Sequence, residues 1–226
     1  MSSEYQYSFT HISKTQSVDY SATQYRDLRL RALQASPESF SSTHEIESRF
    51  TDEIWKDRIL QGDRENFVCI ATPVDPDASS SVQWVGQVTL RGPASKQDFT
   101  LPEVSGQPVP GEDDEEERWQ MLSLFILPEH SGRGLGQGLC REAIRYLQEN
   151  RQKPKAVVRL MVKPQNTATV HLYQKLGFAT VGKCTLAEAL IANGDGQLVP
   201  QDTSDAKYST RSCLIMTYNI SYILCF

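Results

Sequence analysis

The segment Leu122-Ser-Leu-Phe-Ile-Leu-Pro-Glu-His-Ser-Gly-Arg-Gly-Leu-Gly-Gln-Gly-Leu139 constrains the fold more than any other part of the chain. An apolar run reads as a buried strand, Pro128 stops it, a glycine-dense turn follows, and a helical pattern begins at once. Glycines at 132, 134, 136 and 138 allow positive φ and close approach of a ligand to the backbone. The N–H groups of such a turn, and of the first helical residues after it, have no intrahelical acceptor. They gather at the positive end of the helix dipole and form an anion site suited to phosphate. Spacing excludes two nucleotide motifs. A P-loop needs a Lys directly after its last glycine, and no lysine occurs here until Lys153. A dinucleotide fingerprint needs a third Gly or Ala where this chain has Gln137 or Leu139.

What remains is strand, Pro-Glu-His-Ser, Gly-x-Gly-x-Gly and helix. This resembles the acetyl-CoA pyrophosphate loop of the GNAT superfamily of N-acetyltransferases. The core of that loop is a basic or Gln residue, two others, Gly, one residue, then Gly or Ala. Gly134 and Gly136 match; Ser131 stands where the family has Arg or Gln, and Arg133 offers a charge nearby. The alternative for the loop alone is a glycine-rich connection that binds nothing. The resemblance implies that the coenzyme is held along Phe125, Ile126 and Leu127 of the strand. It continues through Ser131, Gly132, Arg133, Gly134, Leu135, Gly136 and Gln137 of the loop and helix start.

A second segment supports the first. Ala156–Val162 is rich in β-formers and ends at Lys163-Pro164; Asn166-Thr-Ala-Thr-Val-His-Leu-Tyr-Gln-Lys-Leu-Gly-Phe178 follows. Asn166 is a good N-cap, Val170, Tyr173 and Leu176 recur at helical spacing, and Gly177 suits a helix stop. This is similar to the second GNAT signature: Asn, two residues, a small residue, two residues, Leu-Tyr, then Leu-Gly-Phe. Thr169 replaces the usual Ala. The resemblance places Asn166 among the coenzyme-binding residues. It makes Tyr173 the catalytic acid that protonates the departing thiolate, against the plain reading of a core aromatic. It covers Leu122 to Lys183, with weaker support outside.

The implied fold is α/β (α+β), a mixed, mostly antiparallel, splayed sheet flanked by helices on both faces. The expected domain is a single N-acetyltransferase domain over residues 1–226. Tyr5–Ile12 alternates Tyr5, Tyr7 and Phe9 on one face and reads as a strand; Val18–Gln34 reads as a helix ended by Pro37. Thr43–Gln61 reads as one further helix with Ile46, Phe50, Ile54 and Ile59 on its apolar side. Asp27–Leu33 followed by Ser36–Phe40 is similar to the first helix and turn that form one wall of the acceptor site in GNAT enzymes. Asn66–Thr72, Val82–Arg91 and Trp119–Leu127 read as strands, with a loop at Pro73–Ser81 and a helix at Gly134–Gln148. Ala179–Leu186 and Arg211–Ile220 read as a closing antiparallel pair; Glu188–Tyr208 between them is long and polar, either mobile or a lid.

Charge and cysteine usage set the partners. A net charge of −5 and a pI near 5.4 argue against nucleic acid. Cys69, Cys140, Cys184, Cys213 and Cys225 are odd in number and widely spaced, which points to reduced thiols rather than zinc or disulfides. With no basic-then-apolar leader and no apolar run of about 18 residues, the expectation is a cytoplasmic or nuclear protein off the membrane. The Asn219-Ile-Ser221 sequon then reads as chance. The expected state is monomer or homodimer. Residues 92–117 form an insertion ending in the six carboxylates Glu112–Glu117, read as a disordered, solvated loop or as a field that draws in a cationic amine.

Acyl transfer frames the chemistry. A primary amine of pKa about 10.4 is neutral only about one time in 2,500 at pH 7, so deprotonation costs about 4.6 kcal/mol. The base stays open: Trp119–Leu127 holds no carboxylate or His, and Glu117, Glu129, His130, His44 or a water chain all qualify. Negative charge on the thioester oxygen calls for a backbone N–H near Leu124–Leu127. The reading is acetyl transfer from acetyl-CoA to a small-molecule or peptide amine by direct attack in a ternary complex, without metal. The alternative is a catalytically silent acyl-CoA-binding or regulatory module of the same fold.

Overall fold

Tyr5, Tyr7 and Phe9 turn to one side of the first strand, as a two-residue period requires, while Gln6 and Ser8 are exposed. The structure is a computed structural model, and it describes residues 5–37, 40, 42–75 and 81–221. Its elements run β1 (Tyr5–His11), α1 (Val18–Ala35), α2 (His44–Glu47), α3 (Asp52–Leu60), β2 (Arg64–Pro73), β3 (Gln83–Arg91), α4 (Lys96–Phe99) and β4 (Glu116–Ile126). They continue α5 (Leu135–Asn150), β5 (Lys155–Val162), α6 (Thr167–Lys175), β6 (Ala179–Cys184), α7 (Leu186–Asn193), α8 (Ala206–Ser209) and β7 (Cys213–Ser221). The seven strands form one sheet in the order β1-β2-β3-β4-β5-β7-β6. β1/β2, β5/β7 and β6/β7 pair antiparallel and β4/β5 pairs parallel, the mixed and mostly antiparallel sheet that the sequence implied. The expected loop at 73–81 lies partly outside the described residues.

The chain divides into two compact units. The first runs to Thr89 and takes in Ser123–Ile144. In it α1 buries Ala22, Tyr25, Leu28, Ala32 and Leu33 at three- and four-residue steps. The expected single helix over Thr43–Gln61 is instead two helices. Thr43 accepts a hydrogen bond from Ile46 N–H at 3.3 Å, and Thr51 accepts one from Ile54 N–H at 3.5 Å, so each threonine caps its own helix. The buried face of α3 is then Trp55 and Ile59, while Ile46 and Ile54 stay 54% and 40% exposed. A second threonine cap overrode the apolar period.

The second unit comprises Leu90–Leu122 and Arg145–Phe226. The segment read as a disordered insertion carries regular structure here. Ser95 caps α4 by accepting from Asp98 N–H at 3.0 Å, and a 3-10 turn follows at Glu103–Ser105. Gly182 faces that turn: a Cβ there would run into the Ser105 carbonyl. Arg159 on β5, 1% exposed, holds the segment from below. Its guanidinium donates to Phe99 O at 2.6 Å, Gln107 Oε1 at 2.7 Å and Gln120 Oε1 at 2.8 Å, and it stacks 3.8 Å from the Phe99 ring centre. The acidic run is only partly solvated. Asp114 and Glu115 are exposed, but β4 begins at Glu116. Buried Glu117 accepts from Trp119 Nε1 at 3.0 Å and from the Gln152 amide, and Asp113 pairs with buried Arg118.

The long polar connection over Glu188–Tyr208, read as mobile or a lid, opens inside a helix. Thr185 and Glu188 form a capping box that starts α7, and Ala189, Leu190 and Ala192 are buried. Arg211 then grips Glu188 with two hydrogen bonds of 2.6 and 2.8 Å. Removing one member of a buried pair strands the rest, whereas a solvated carboxylate contributes little. Glu117→Ala should therefore lower unfolding free energy by about 1–3 kcal/mol in urea titration, and Asp114→Ala by less than about 0.5 kcal/mol.

Candidate functional site

The glycine loop and the start of the helix after it lie wholly in the first unit. After β4 the chain makes a 3-10 turn over Pro128–His130, closed by His130 N–H to Leu127 O at 2.9 Å and Ser131 N–H to Pro128 O at 3.1 Å. Gly132 and Gly134 then take φ of +75° and +76°, torsions that favour glycine, and an added Cβ at either would meet nothing within 4 Å. The first helical bond of α5 runs from Gly138 N–H to Gly134 O at 3.0 Å. The N–H groups of Leu135, Gly136 and Gln137 thus precede the ladder and face outward with the dipole's positive end. Ser131, Gly132, Arg133 and Gly134 are exposed, so a phosphate can reach them. Gly138 serves packing instead: a Cβ there would run into the Phe9 ring of β1.

The strand entering the loop is irregular. Ser123 has φ +58°, a left-handed residue inside β4 that breaks the pleat like a bulge. Register pairs join β4 to β5 from Glu116↔Lys155 to Gln120↔Arg159, while β4 runs on to Ile126. Phe125 is buried and meets the Phe40 ring at 5.6 Å. Both main-chain groups of Leu127 are engaged. Its N–H donates to Val85 O at 2.8 Å, its carbonyl accepts from His130 N–H and from Ser131 Oγ at 3.3 Å, and its side chain is 2% exposed. Leu127 is committed to the turn, and Phe125 and Ile126 precede it at the end of β4.

The α1–α2 wall is a charged network with an aromatic cover. Arg29 grips Glu47 with bonds of 3.0 and 2.8 Å, Arg58 adds one of 2.9 Å, and the Arg29 guanidinium lies 4.3 Å from the Phe40 ring centre. Burial alone would raise the Glu47 pKa; Arg29 and Arg58 outweigh it and hold the carboxyl below its ordinary value. Glu38 and Ser39 of this turn lie outside the described residues.

Each base read from the sequence has a partner. Glu117 holds Trp119 and Gln152. Glu129 pairs with Arg31 at 2.6 Å. His44 Nε2 lies 3.1 Å from the Gln34 amide nitrogen, which donates to it. His130, 4% exposed, lies 3.1 Å from the Tyr7 hydroxyl through Nδ1, with Tyr5 and Tyr7 packed edge-on to its ring. Its pKa is lowered, first by burial and then by Arg133 and Arg31, against the pull of Glu129. Sequence reasoning missed Tyr5 and Tyr7 as supports of this turn, because nothing local links them to His130. It also missed Gln87, a fully buried amide on β3 whose two polar atoms have no partner among the described residues.

The second signature folds in the second unit. The Asn166 side chain accepts from Thr169 N–H at 3.3 Å and caps α6, and Gly177 leaves the helix with φ +96°. Tyr173 is 6% exposed, its ring 5.6 Å from Phe178, which in turn lies 5.4 Å from Tyr218.

Residues 40–178 match the Acetyltransferase (GNAT) family. The chain belongs to that family. The GNAT fold extends over nearly the whole chain. The acetyltransferase of GNAT family from Streptococcus pneumoniae superposes with a TM-score of 0.58 at 15% identity, covering 95% of this chain and 100% of that one. Arabidopsis thaliana NAA60 in complex with acetyl-CoA gives 0.55 at 16%, covering 95% and 99%. In sequence, the L-amino acid N-acyltransferase MnaT of Escherichia coli K12 is 36% identical over 61 residues, 27% of this chain and 34% of that relative. The matched stretch thus spans about a third of the relative's length.

Two outcomes follow from the loop. Gly134→Val puts a β-branched residue at positive φ, costing roughly 1–2 kcal/mol, yet the fold should survive because its Cβ meets nothing. Acetyl-CoA affinity by calorimetry should fall by at least about tenfold, since the side chain stands where phosphate must approach. For His130 the folded pKa lies below the ordinary 6.5, so the unfolded chain binds more protons between the two values. Stability from this residue is complete above 6.5 and lost as pH falls through the lowered value. Thermal denaturation between pH 7.5 and 5 should show that slope, and His130→Phe should flatten it.

Proposed function

We propose that this GNAT chain moves an acetyl group from acetyl-CoA to an amine by direct attack within a ternary complex. The observation that carries the reading is the loop after β4. Two positive-φ glycines and three helix-start N–H groups form an exposed, ready-made pyrophosphate cradle directly behind a bulged strand. The N–H groups near Phe125 and Ile126 are the proposed partners for the pantetheine and for the developing oxyanion. Exposed Arg133 supplies the positive charge that Ser131 does not. Asn166 is proposed to contribute to coenzyme binding through the helix it caps, and Tyr173 to protonate the coenzyme thiolate as it leaves.

The acceptor class is proposed as a small-molecule or peptide amine. The partial relative named as an L-amino acid N-acyltransferase supports the small-molecule side, without setting it for this chain. Since Glu117, Glu129, His130 and His44 are all engaged, the proton of the attacking ammonium is proposed to leave through ordered water. The same observation supports the silent acyl-CoA-binding module as the second reading. Buried free thiols at Cys69, Cys140, Cys184 and Cys213 support a reducing compartment, cytoplasmic or nuclear. Among the described residues no helix is long and apolar enough to cross a membrane.

Incubation with labelled acetyl-CoA and a library of amines and peptides separates the two readings. Labelled amide with stoichiometric release of free thiol supports transfer; tight acetyl-CoA binding with neither product establishes the silent module. Within the enzyme reading, Tyr173→Phe should keep acetyl-CoA affinity and lower kcat and kcat/KM alike by about 10² to 10⁴. Wild-type turnover in this variant would assign Tyr173 to packing.

A further inference from the structure

Cys184 closes β6 and Cys213 opens β7, and the antiparallel register sets them directly opposite each other. Residues opposed in this way share a face, with Cα atoms about 4.5–5.5 Å apart. A disulfide spans about 4.4–6.8 Å between Cα atoms, so the pair meets its geometric requirement without a change in strand pairing. Both thiols are free and buried, in a cluster with Ala189 and Ile215 against Leu101, Met161 and Val181. Nothing in the acyl-transfer reading uses them.

The two thiols differ from the other described cysteines. Cys69 and Cys140 are each pushed up to about 12 by burial, as inert core thiols are. Cys184 and Cys213 are hydrogen-bonded to each other, and that bond is the largest influence on both. It lowers Cys213 below its ordinary value, with help from Ser212 and Lys163 against burial, and raises Cys184. The hydrogen bond thus acts unequally on the two sulfurs, favouring the charged form at Cys213 and the protonated form at Cys184. The pair lies at the strand ends, next to exposed Lys183 and Ser212, and the flanking Glu188 and Arg211 are already joined at 2.6 Å.

We propose that Cys184 and Cys213 form a redox-active dithiol that hydroperoxides oxidise to an intramolecular disulfide tying β6 to β7. In the first step the Cys213 sulfur attacks a peroxide oxygen. The O–O bond breaks, the sulfur is oxidised to sulfenic acid, and the peroxide leaves as water or alcohol after taking a proton. In the second step the Cys184 sulfur attacks the sulfenic sulfur, an S–S bond forms, and water departs with the hydroxyl and the Cys184 proton. A dithiol such as thioredoxin's reverses the reaction by exchange.

The test uses the full chain treated with hydrogen peroxide, alkylated under denaturing conditions and mapped by non-reducing peptide mass spectrometry. The expected product joins the Cys184 and Cys213 peptides with loss of two hydrogens, disappears with dithiothreitol, and melts several degrees above the reduced protein because the bridge constrains the unfolded chain. Cys184→Ser should trap the sulfenic acid on Cys213 for a dimedone probe, while Cys213→Ser should leave Cys184 unlabelled. Recovery of both cysteines as alkylated thiols after peroxide overturns the proposal, as does equal labelling in the two serine variants. The wild-type map decides the matter even if a serine variant does not fold.

Discussion

The sharp turn that joins β4 to α5 governs this molecule. Leu127 closes it from both sides, giving its N–H to Val85 and its carbonyl to His130 and Ser131. Once these groups are committed, the chain can leave the sheet only through left-handed torsions, which Gly132 and Gly134 supply. The helix then starts with its free N–H groups aimed at solvent. The outward-facing N–H groups are thus a by-product of ending a strand abruptly and starting a helix within a few residues. They belong to the backbone rather than to side chains, so Ser131 in place of the family's Arg or Gln leaves them unchanged.

Support for that turn comes from distant residues. Phe9 of β1 occupies the space at Gly138 where another residue's Cβ would be, and Tyr7 holds the ring of His130. Buried His130, its pKa lowered, supports the loop through packing and hydrogen bonding rather than charge. The positive charge comes from the helix end and from Arg133. Arg31 offsets Glu129, which lies in the turn before the glycines, and so would limit the repulsion that an anionic ligand meets there.

In the second unit, buried polar groups take the place of a purely apolar core. Arg159 donates to amide and carbonyl oxygens, and burial depresses its pKa to about 10, still well above neutrality. A cation so placed is costly unless its donors are satisfied, and the main chain around Phe99 and the side chain of Gln107 satisfy them. Gln120 extends the network by donating to Asn193 at 3.0 Å, and Arg91 reaches the Ala192 carbonyl at 3.3 Å. The C-terminal end of α7 and the 96–107 segment are therefore held by the same row of polar groups. This explains how a stretch so rich in Pro, Gly and charge is ordered.

By itself the sequence determined the local chemistry: a proline-stopped strand, glycines where φ must be positive, and Asn166 as the cap of α6, all set by residue type within a few positions. The family and the mixed, mostly antiparallel character of the sheet were legible because both family signatures are local. Three readings failed where local rules competed. Thr51 capped a new helix in the middle of an apolar period, the Thr185/Glu188 capping box went unread in a segment judged polar, and a carboxylate run hid the buried Glu117. Only tertiary structure decided which carboxylate was buried, that Leu127 had no free main-chain group, and that Cys184 would meet Cys213. Each of these depends on pairing between distant segments. Strand register and the partners of buried polar groups are settled when the sheet assembles, and no short window of sequence encodes them.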